Sequence, residues 1–253
     1  MPQAPVNGIE LYYEEHGVPD GPPLLLVHGY TGAAWAWERT LPPFAEKYRV
    51  IVPELRGHGR STGDPETIHH VNFAADLVAL LDHLGIDQAH FVGHSSGGMS
   101  LLFVGTRHQD RVRTLTLVNA TYRFDDVAKA YMMQVVEEFS IQPEAIAAVQ
   151  RVHGPTHGEG YWQVLREAFR QFTLDPDELP FDPPDLSVIT RPVLVLHGDR
   201  DPFFPINIPV AMYQAMPNAE LCILPYAGHD IPAADEALFL TITQRFLERH
   251  ADA

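Results

Sequence analysis

Cysteine is almost missing from this sequence. Its one residue, Cys222, excludes an intrachain disulfide and fits a reducing, cytoplasmic compartment. Basic side chains are scarce too: 17 Lys and Arg stand against 33 Asp and Glu, a formal charge of −16. A chain this acidic repels phosphate backbones and anionic lipid heads, so neither nucleic acid nor a membrane surface is an expected partner. No apolar run reaches membrane-spanning length. The opening Met1-Pro2-Gln3-Ala4-Pro5-Val6-Asn7 has neither the basic nor the apolar region of a secretory signal. No G-x-G-x-x-G opens a helix and no G-x-x-x-x-G-K-[ST] occurs, so no nucleotide cofactor is expected. Nothing in the sequence bears on oligomeric state.

What is present is enough apolar material for a large core: 253 residues, 45% hydrophobic and 20% charged. Short apolar runs at 9–15, 24–28, 49–53, 89–92, 113–118, 193–197 and 220–224 read as strands. The turn residues Pro19-Asp20-Gly21-Pro22-Pro23 suggest that the first two form a hairpin. Helical periodicity falls between the strands, at 35–48, 69–84, 96–108, 206–216 and 233–250. Such alternation predicts an α/β fold, a mostly parallel sheet flanked by helices. The stretch 121–185 interrupts it with helical segments at 127–139, 143–152 and 161–172 and no strand. The expected organisation is a core of 1–120 and 186–253 carrying a helical insertion, 121–185, with no cofactor.

The strongest local signal is Gly93-His94-Ser95-Ser96-Gly97, between an expected strand and an expected helix. A serine on such a turn projects from the sheet edge, and the flanking glycines remove Cβ atoms that would collide. The helix behind it directs N–H groups toward developing negative charge. A Gly/Ser-rich connection without chemistry is the bland alternative. His28-Gly29-Tyr30-Thr31-Gly32 follows the neighbouring strand, with backbone free to approach a substrate. The backbone N–H groups of Ser96 and Tyr30 are the candidate oxyanion donors. His153 and His157 have a spacing that on a helix can begin a zinc site. Gly154-Pro155 argues against a helix there and no third ligand is evident, so no metal is expected.

Taken together, the chain resembles the α/β-hydrolase fold family over essentially its whole length. Glu54-Leu55-Arg56-Gly57-His58-Gly59-Arg60-Ser61 is similar to that family's D-x-R-G-x-G-x-S loop, with Glu54 where Asp is commoner. The resemblance implies the chain order nucleophile, acid, histidine. It puts the acid at Asp201, in Gly198-Asp199-Arg200-Asp201, and the histidine at His229, in Tyr226-Ala227-Gly228-His229. It makes the insertion a helical cap. Asp199 reads better as a turn cap, and Asp125 is a second candidate acid, after an earlier strand. Histidine suits a base at neutral pH, and the carboxylate fixes its tautomer.

Ser95 at the elbow disfavours the alkyl-enzyme chemistry that an aspartate there would support. It points to a serine esterase acting on a small or medium neutral carboxylic ester. The insertion is rich in aromatics and carries 12 acidic against 5 basic residues, which disfavours anionic substrates. His28, Trp162 and Phe172 are the candidate pocket residues. Carbon–carbon bond hydrolysis, enol-lactone hydrolysis or perhydrolysis on the same triad, and a binding protein with little turnover, are the competing readings.

Overall fold

The computed structural model describes residues 2–139 and 141–252, the side chain of Phe139 excepted. Among these described residues, eight strands run in chain order: β1 Gln3–Val6, β2 Ile9–Gly17, β3 Pro23–Val27, β4 Arg49–Pro53, β5 Ala89–His94, β6 Val112–Val118, β7 Val193–Gly198 and β8 Ala219–Leu224. The α-helices among the described residues are α1 Leu41–Ala45, α2 His70–Leu84, α3 Ser96–Arg107, α4 Asp126–Phe139, α5 Pro143–His157, α6 Tyr161–Leu174, α7 Asn207–Ala215, α8 Ile231–Ala234 and α9 Glu236–Arg249. All eight strands form one sheet in the order β1-β2-β4-β3-β5-β6-β7-β8. From β4 to β8 the pairing is parallel, and β1 and β2 form the antiparallel edge.

Side-chain alternation sorts the strands into two cores. Leu25 and Val27 of β3, Phe91 of β5 and Leu115 and Leu117 of β6 face Phe73 and Leu77 of α2 and Leu102 of α3. Leu24, Leu26, Val50, Val92 and Leu196 face the other way, onto Trp37, Phe44, Phe239 and Phe246. Burial on both faces explains why these strands read as continuous apolar runs instead of alternating ones.

Four expectations need correction. The hairpin does not form between β2 and β3: β4 lies between them, antiparallel to β2 and parallel to β3. The true hairpin joins β1 to β2 through Asn7 and Gly8, at φ 43° and 78°. That Asn-Gly pair is a strong hairpin signal, and β1 had no expected strand. The helix expected over 35–48 is a 3₁₀ turn at Ala34–Trp37 followed by the short α1. Pro42 and Pro43 remove N–H donors, so helix can only restart there, with proline in the first turn. The last expected helix is split into α8 and α9 at Asp235, whose side chain accepts from Leu238 N and caps α9. Finally, α5 runs through Gly154 and Pro155 to His157. The insertion is the three helices α4, α5 and α6, with no strand among the described residues between β6 and β7.

The loop after β4 is held by a buried ion pair. Arg56 donates from Nε and Nη2 to the two oxygens of Asp76 at 2.9 and 2.7 Å, and Asn7 Nδ2 donates to the same carboxylate at 2.9 Å. Asp76→Ala should strand a buried guanidinium and cost about 3–5 kcal/mol. Urea unfolding followed by circular dichroism checks this; a loss under about 1 kcal/mol would show that the pair is not structural.

Candidate active site

Ser95 stands between β5 and α3 at φ 49°, ψ −117°, a sparsely populated backbone region for a residue with a Cβ. Its surroundings permit the turn. A Cβ at Gly93 would lie 2.6 Å from the Gly97 carbonyl carbon, and one at Gly97 would lie 2.4 Å from Val27 O. The Ser95 N–H donates to Val118 O at 2.9 Å, tying the turn to β6.

Three side chains expected from separate parts of the chain meet here. Ser95 Oγ is 3.0 Å from His229 Nε2, and His229 Nδ1 is 2.8 Å from Asp201 Oδ2. Asp201 follows β7 and His229 follows β8. The side chain of Asp201 is fully buried. Burial alone would raise its pKa, but hydrogen bonds from His229 and Asn119 outweigh burial and hold it below the usual carboxylate range. A hydroxyl in this position can pass its proton to Nε2, while the carboxylate keeps the other ring proton on Nδ1.

The remaining aspartates separate. Asp125 Oδ1 accepts from Ala128 N at 2.9 Å and caps α4. The turn-capping role expected of Asp199 is instead performed by Asp201, whose Oδ1 accepts from Phe203 N and Phe204 N at 2.8 and 3.2 Å. The Asp199 carboxylate lies 3.7 Å from Arg200 Nε.

The loop after β3 adjoins the serine. A Cβ on Gly29 would stand 3.2 Å from Ser95 Cβ. Ser96 opens α3, so its N–H has no acceptor within the helix. Tyr30 and Ser96 both line a cavity of about 340 Å³ that ends on Ser95 and His229. Trp162 and Phe172 also line it, as do Met132, Val136 and Phe169 of the insertion. His28 does not line it. It is fully buried, with Nδ1 donating to Gly29 O at 2.8 Å and Nε2 accepting from Leu55 N at 2.9 Å. A histidine spent on two backbone groups is structural, which corrects its expected place in the pocket.

Three neighbours of the site had no expected role there. Asn119, at φ 47° after β6, donates from Nδ2 to Asp201 Oδ2 at 2.6 Å and to Gly228 O at 3.3 Å. Its position just past a strand's C-terminal end was the available signal. His94 Nε2 donates to His229 O at 2.8 Å. The ring of Phe203 lies 4.5 Å from that of His229.

Outside the cavity, His69, Asp175 and Glu178 bring ligand-type atoms within 4.8 Å. The oxygens of the buried Glu178 already accept from His69, from the His70 ring and from the His70 N–H, so this cluster reads as a tie between α2 and the chain after α6. His153 is likewise committed to backbone groups, Gly59 N at 2.7 Å and Thr31 O at 3.0 Å. Among the described residues no helix is long and apolar enough to cross a membrane.

A sheet of this order, with a serine on a strained turn beside the central strands, defines a class of fold. A sequence model of the alpha/beta hydrolase fold family matches residues 22–156, more than half of the chain. The chain belongs to that family of hydrolases. It is 28% identical, over an alignment 282 positions long, to a protein of Caulobacter sp. (strain K31) named "Putative carbamate hydrolase RutD", covering 99% of this chain and 100% of that one. Among solved structures it is similar to Est816, described as an N-acyl homoserine lactone degrading enzyme, at 26% identity and TM-score 0.80, covering 97% and 100% of the two chains. It is also similar to a thermophilic esterase from Thermogutta terrifontis, at 26% identity and TM-score 0.77 over 98% of each chain.

Burial sets how the fold responds to acid. His28, His90 and His94 are each pushed down to about 4, chiefly by burial. In the unfolded chain they return to about 6.5. The stability they give is complete above that value and is lost as pH falls toward 4, because only the unfolded chain takes up the protons. Each histidine contributes at most about 1.4 kcal/mol per pH unit in that window. Urea unfolding should show a falling free energy from about pH 7.5 to about pH 5; a flat profile would contradict the burial argument.

Proposed function

We propose that this hydrolase cleaves carboxylic esters through a covalent acyl-enzyme, with Ser95 as nucleophile, His229 as general base and acid, and Asp201 as the group that orients it. The observation that carries the reading is the hydrogen-bonded series Ser95 Oγ, His229 Nε2 and Nδ1, Asp201 Oδ2, with links of 3.0 and 2.8 Å. Ser95 Oγ attacks the ester carbonyl as its proton passes to Nε2. The carbonyl oxygen gains the charge and takes the N–H groups of Tyr30 and Ser96. The tetrahedral intermediate then expels the alcohol, which leaves with the proton from Nε2. Water repeats the sequence on the acyl-enzyme and releases the acid.

The three helices α4 to α6 act as a cap in this reading, and their apolar side chains select the substrate. A cavity of about 340 Å³ walled by Met132, Val136, Trp162, Phe169 and Phe172 suits a small or medium ester with an apolar acyl or aryl part. A lactone is an ester whose leaving alcohol stays attached, so the likeness to Est816 makes lactones the second class to test.

A panel of p-nitrophenyl esters of rising chain length, with simple γ-lactones and an aryl carbamate beside it, tests the reading. Esters should give a burst of p-nitrophenol equal to the enzyme concentration. Ser95→Ala and His229→Ala should each lower kcat by more than about 10⁴-fold, and their combination should lose little more, because triad members act as a unit. Retention of over a hundredth of kcat by Ser95→Ala would sink the nucleophile assignment. Asp201→Asn should lose on the order of 10⁴ in kcat, as in the serine-protease triad, while Asp125→Ala should leave kcat near wild type and cost about 1 kcal/mol of stability as a lost helix cap. Trimming Trp162 or Phe172 to Ala should alter the ratio of kcat/KM between short and long esters, by about 1–3 kcal/mol per methylene of discrimination. Equal effects along the whole series would remove the cap from the specificity argument.

A further inference from the structure

The insertion touches the loop beside Ser95 through a buried imidazole. His153, on α5, is fully buried. Its Nδ1 accepts from Gly59 N at 2.7 Å, which leaves the ring proton on Nε2, and Nε2 donates to Thr31 O at 3.0 Å. Thr31 sits at φ 60°, a left-handed conformation that a β-branched residue seldom adopts unaided. The carbonyl of Thr31 and the N–H of Gly32 belong to one planar peptide. Gly32 N in turn donates to Gly29 O at 3.0 Å. Gly29 O and the Tyr30 N–H belong to the next such plane in the relay, and in a trans peptide they point in opposite directions. A continuous line of donors and acceptors therefore runs from Gly59 through His153 and two peptide planes to the Tyr30 N–H.

We infer that His153 is a positioning residue for the Tyr30 N–H, so that the helical insertion sets both the aim and the polarity of one oxyanion donor. The inference rests on the acyl-enzyme reading above. Two physical effects follow from the relay. Rigid planes transmit orientation, so a displaced Thr31 carbonyl turns the Tyr30 N–H. Chained hydrogen bonds also polarise one another, which strengthens the last donor. The insertion grips the same loop a second time, where Tyr30 Oη donates to Leu165 O of α6 at 2.7 Å. Withdrawal of the insertion would therefore loosen the donor and open the cavity together. A residue that merely filled space at this position would need no paired donor and acceptor.

His153→Phe keeps a ring and removes both hydrogen bonds. It should lower kcat on a p-nitrophenyl ester about ten- to hundredfold, short of the 10²–10³ expected for deleting an oxyanion donor. KM should stay within about threefold. The Ki of an alkyl trifluoromethyl ketone, whose serine adduct carries the oxyanion, should rise by the same factor as kcat falls, while the Ki of the product carboxylic acid holds. If His153→Phe does not fold, His153→Met carries the same expectation. Ketone affinity within threefold of wild type, or equal losses for ketone and product acid, would overturn the inference alone. Failure of the wild-type enzyme to form the ketone adduct would overturn the acyl-enzyme reading first.

Discussion

A backbone that turns sharply at Ser95 is the constraint around which the site is arranged. The φ and ψ of that residue, 49° and −117°, are costly by about 1–3 kcal/mol and persist only where neighbours enforce them. Enforcement comes from close backbone approach: Gly97 lies against the end of β3, and Gly93 lies against the first turn of α3. Larger residues at either position would push α3 away from the sheet and swing the serine with it. Because β3 to β8 are parallel, their C-terminal ends share one edge, and the side chains that matter all leave from it. Tyr30 follows β3, Ser95 β5, Asn119 β6, Asp201 β7 and His229 β8. Ligand sites of open parallel sheets lie at that edge for the same reason.

A carboxylate with no exposed surface is the second constraint. Asp201 stays ionised because every oxygen is used: Oδ1 by two N–H groups of its own turn, Oδ2 by His229 and Asn119. The same bonds fix its orientation, so charge and aim have a common origin. Asn119 donates to the oxygen that receives the histidine, and its left-handed backbone turns the side chain back over the sheet edge. His94 steadies the backbone at His229 from the other side. Ser95, His229 and Asp201 are thus embedded in a network in which each is held by a group from a different strand end.

Much of this was legible in the residues. The G-x-S-x-G pattern between a strand and a helix pointed to Ser95, and the resemblance to the α/β-hydrolase fold pointed to Asp201 and His229, whose side chains do meet that of Ser95. The helical, strandless character of the insertion was legible too, from periodicity alone. Other features were not, because they depend on pairing across distance. The turn residues after Gly17 are real turn formers, yet nothing local says that the chain passes over β4 before β3 begins. Asn119 looks like any polar residue after a strand until β7 and β8 are placed beside it. His28 sits in a loop that does line the cavity, but the ring turns inward, toward Leu55. Gly154-Pro155 is a helix-breaking signal, yet α5 continues past it and closes with Gly158 N donating to Gly154 O at 2.8 Å.

Histidine is used in this protein in two opposed ways, and environment decides between them. His229 faces a cavity and a carboxylate, which suits proton transfer. His28, His94 and His153 are lodged where protonation is penalised by burial. A neutral imidazole carries one donor and one acceptor on opposite sides of a rigid ring, so it can join two backbone groups that no short polar side chain could span. His28 joins the β3 loop to the chain after β4, and His153 joins that same loop to the insertion. The loop beside Ser95 is therefore fastened by groups that carry no charge at neutral pH. Asp201 then places a fully buried carboxylate beside the His229 ring, in a chain whose formal charge is −16.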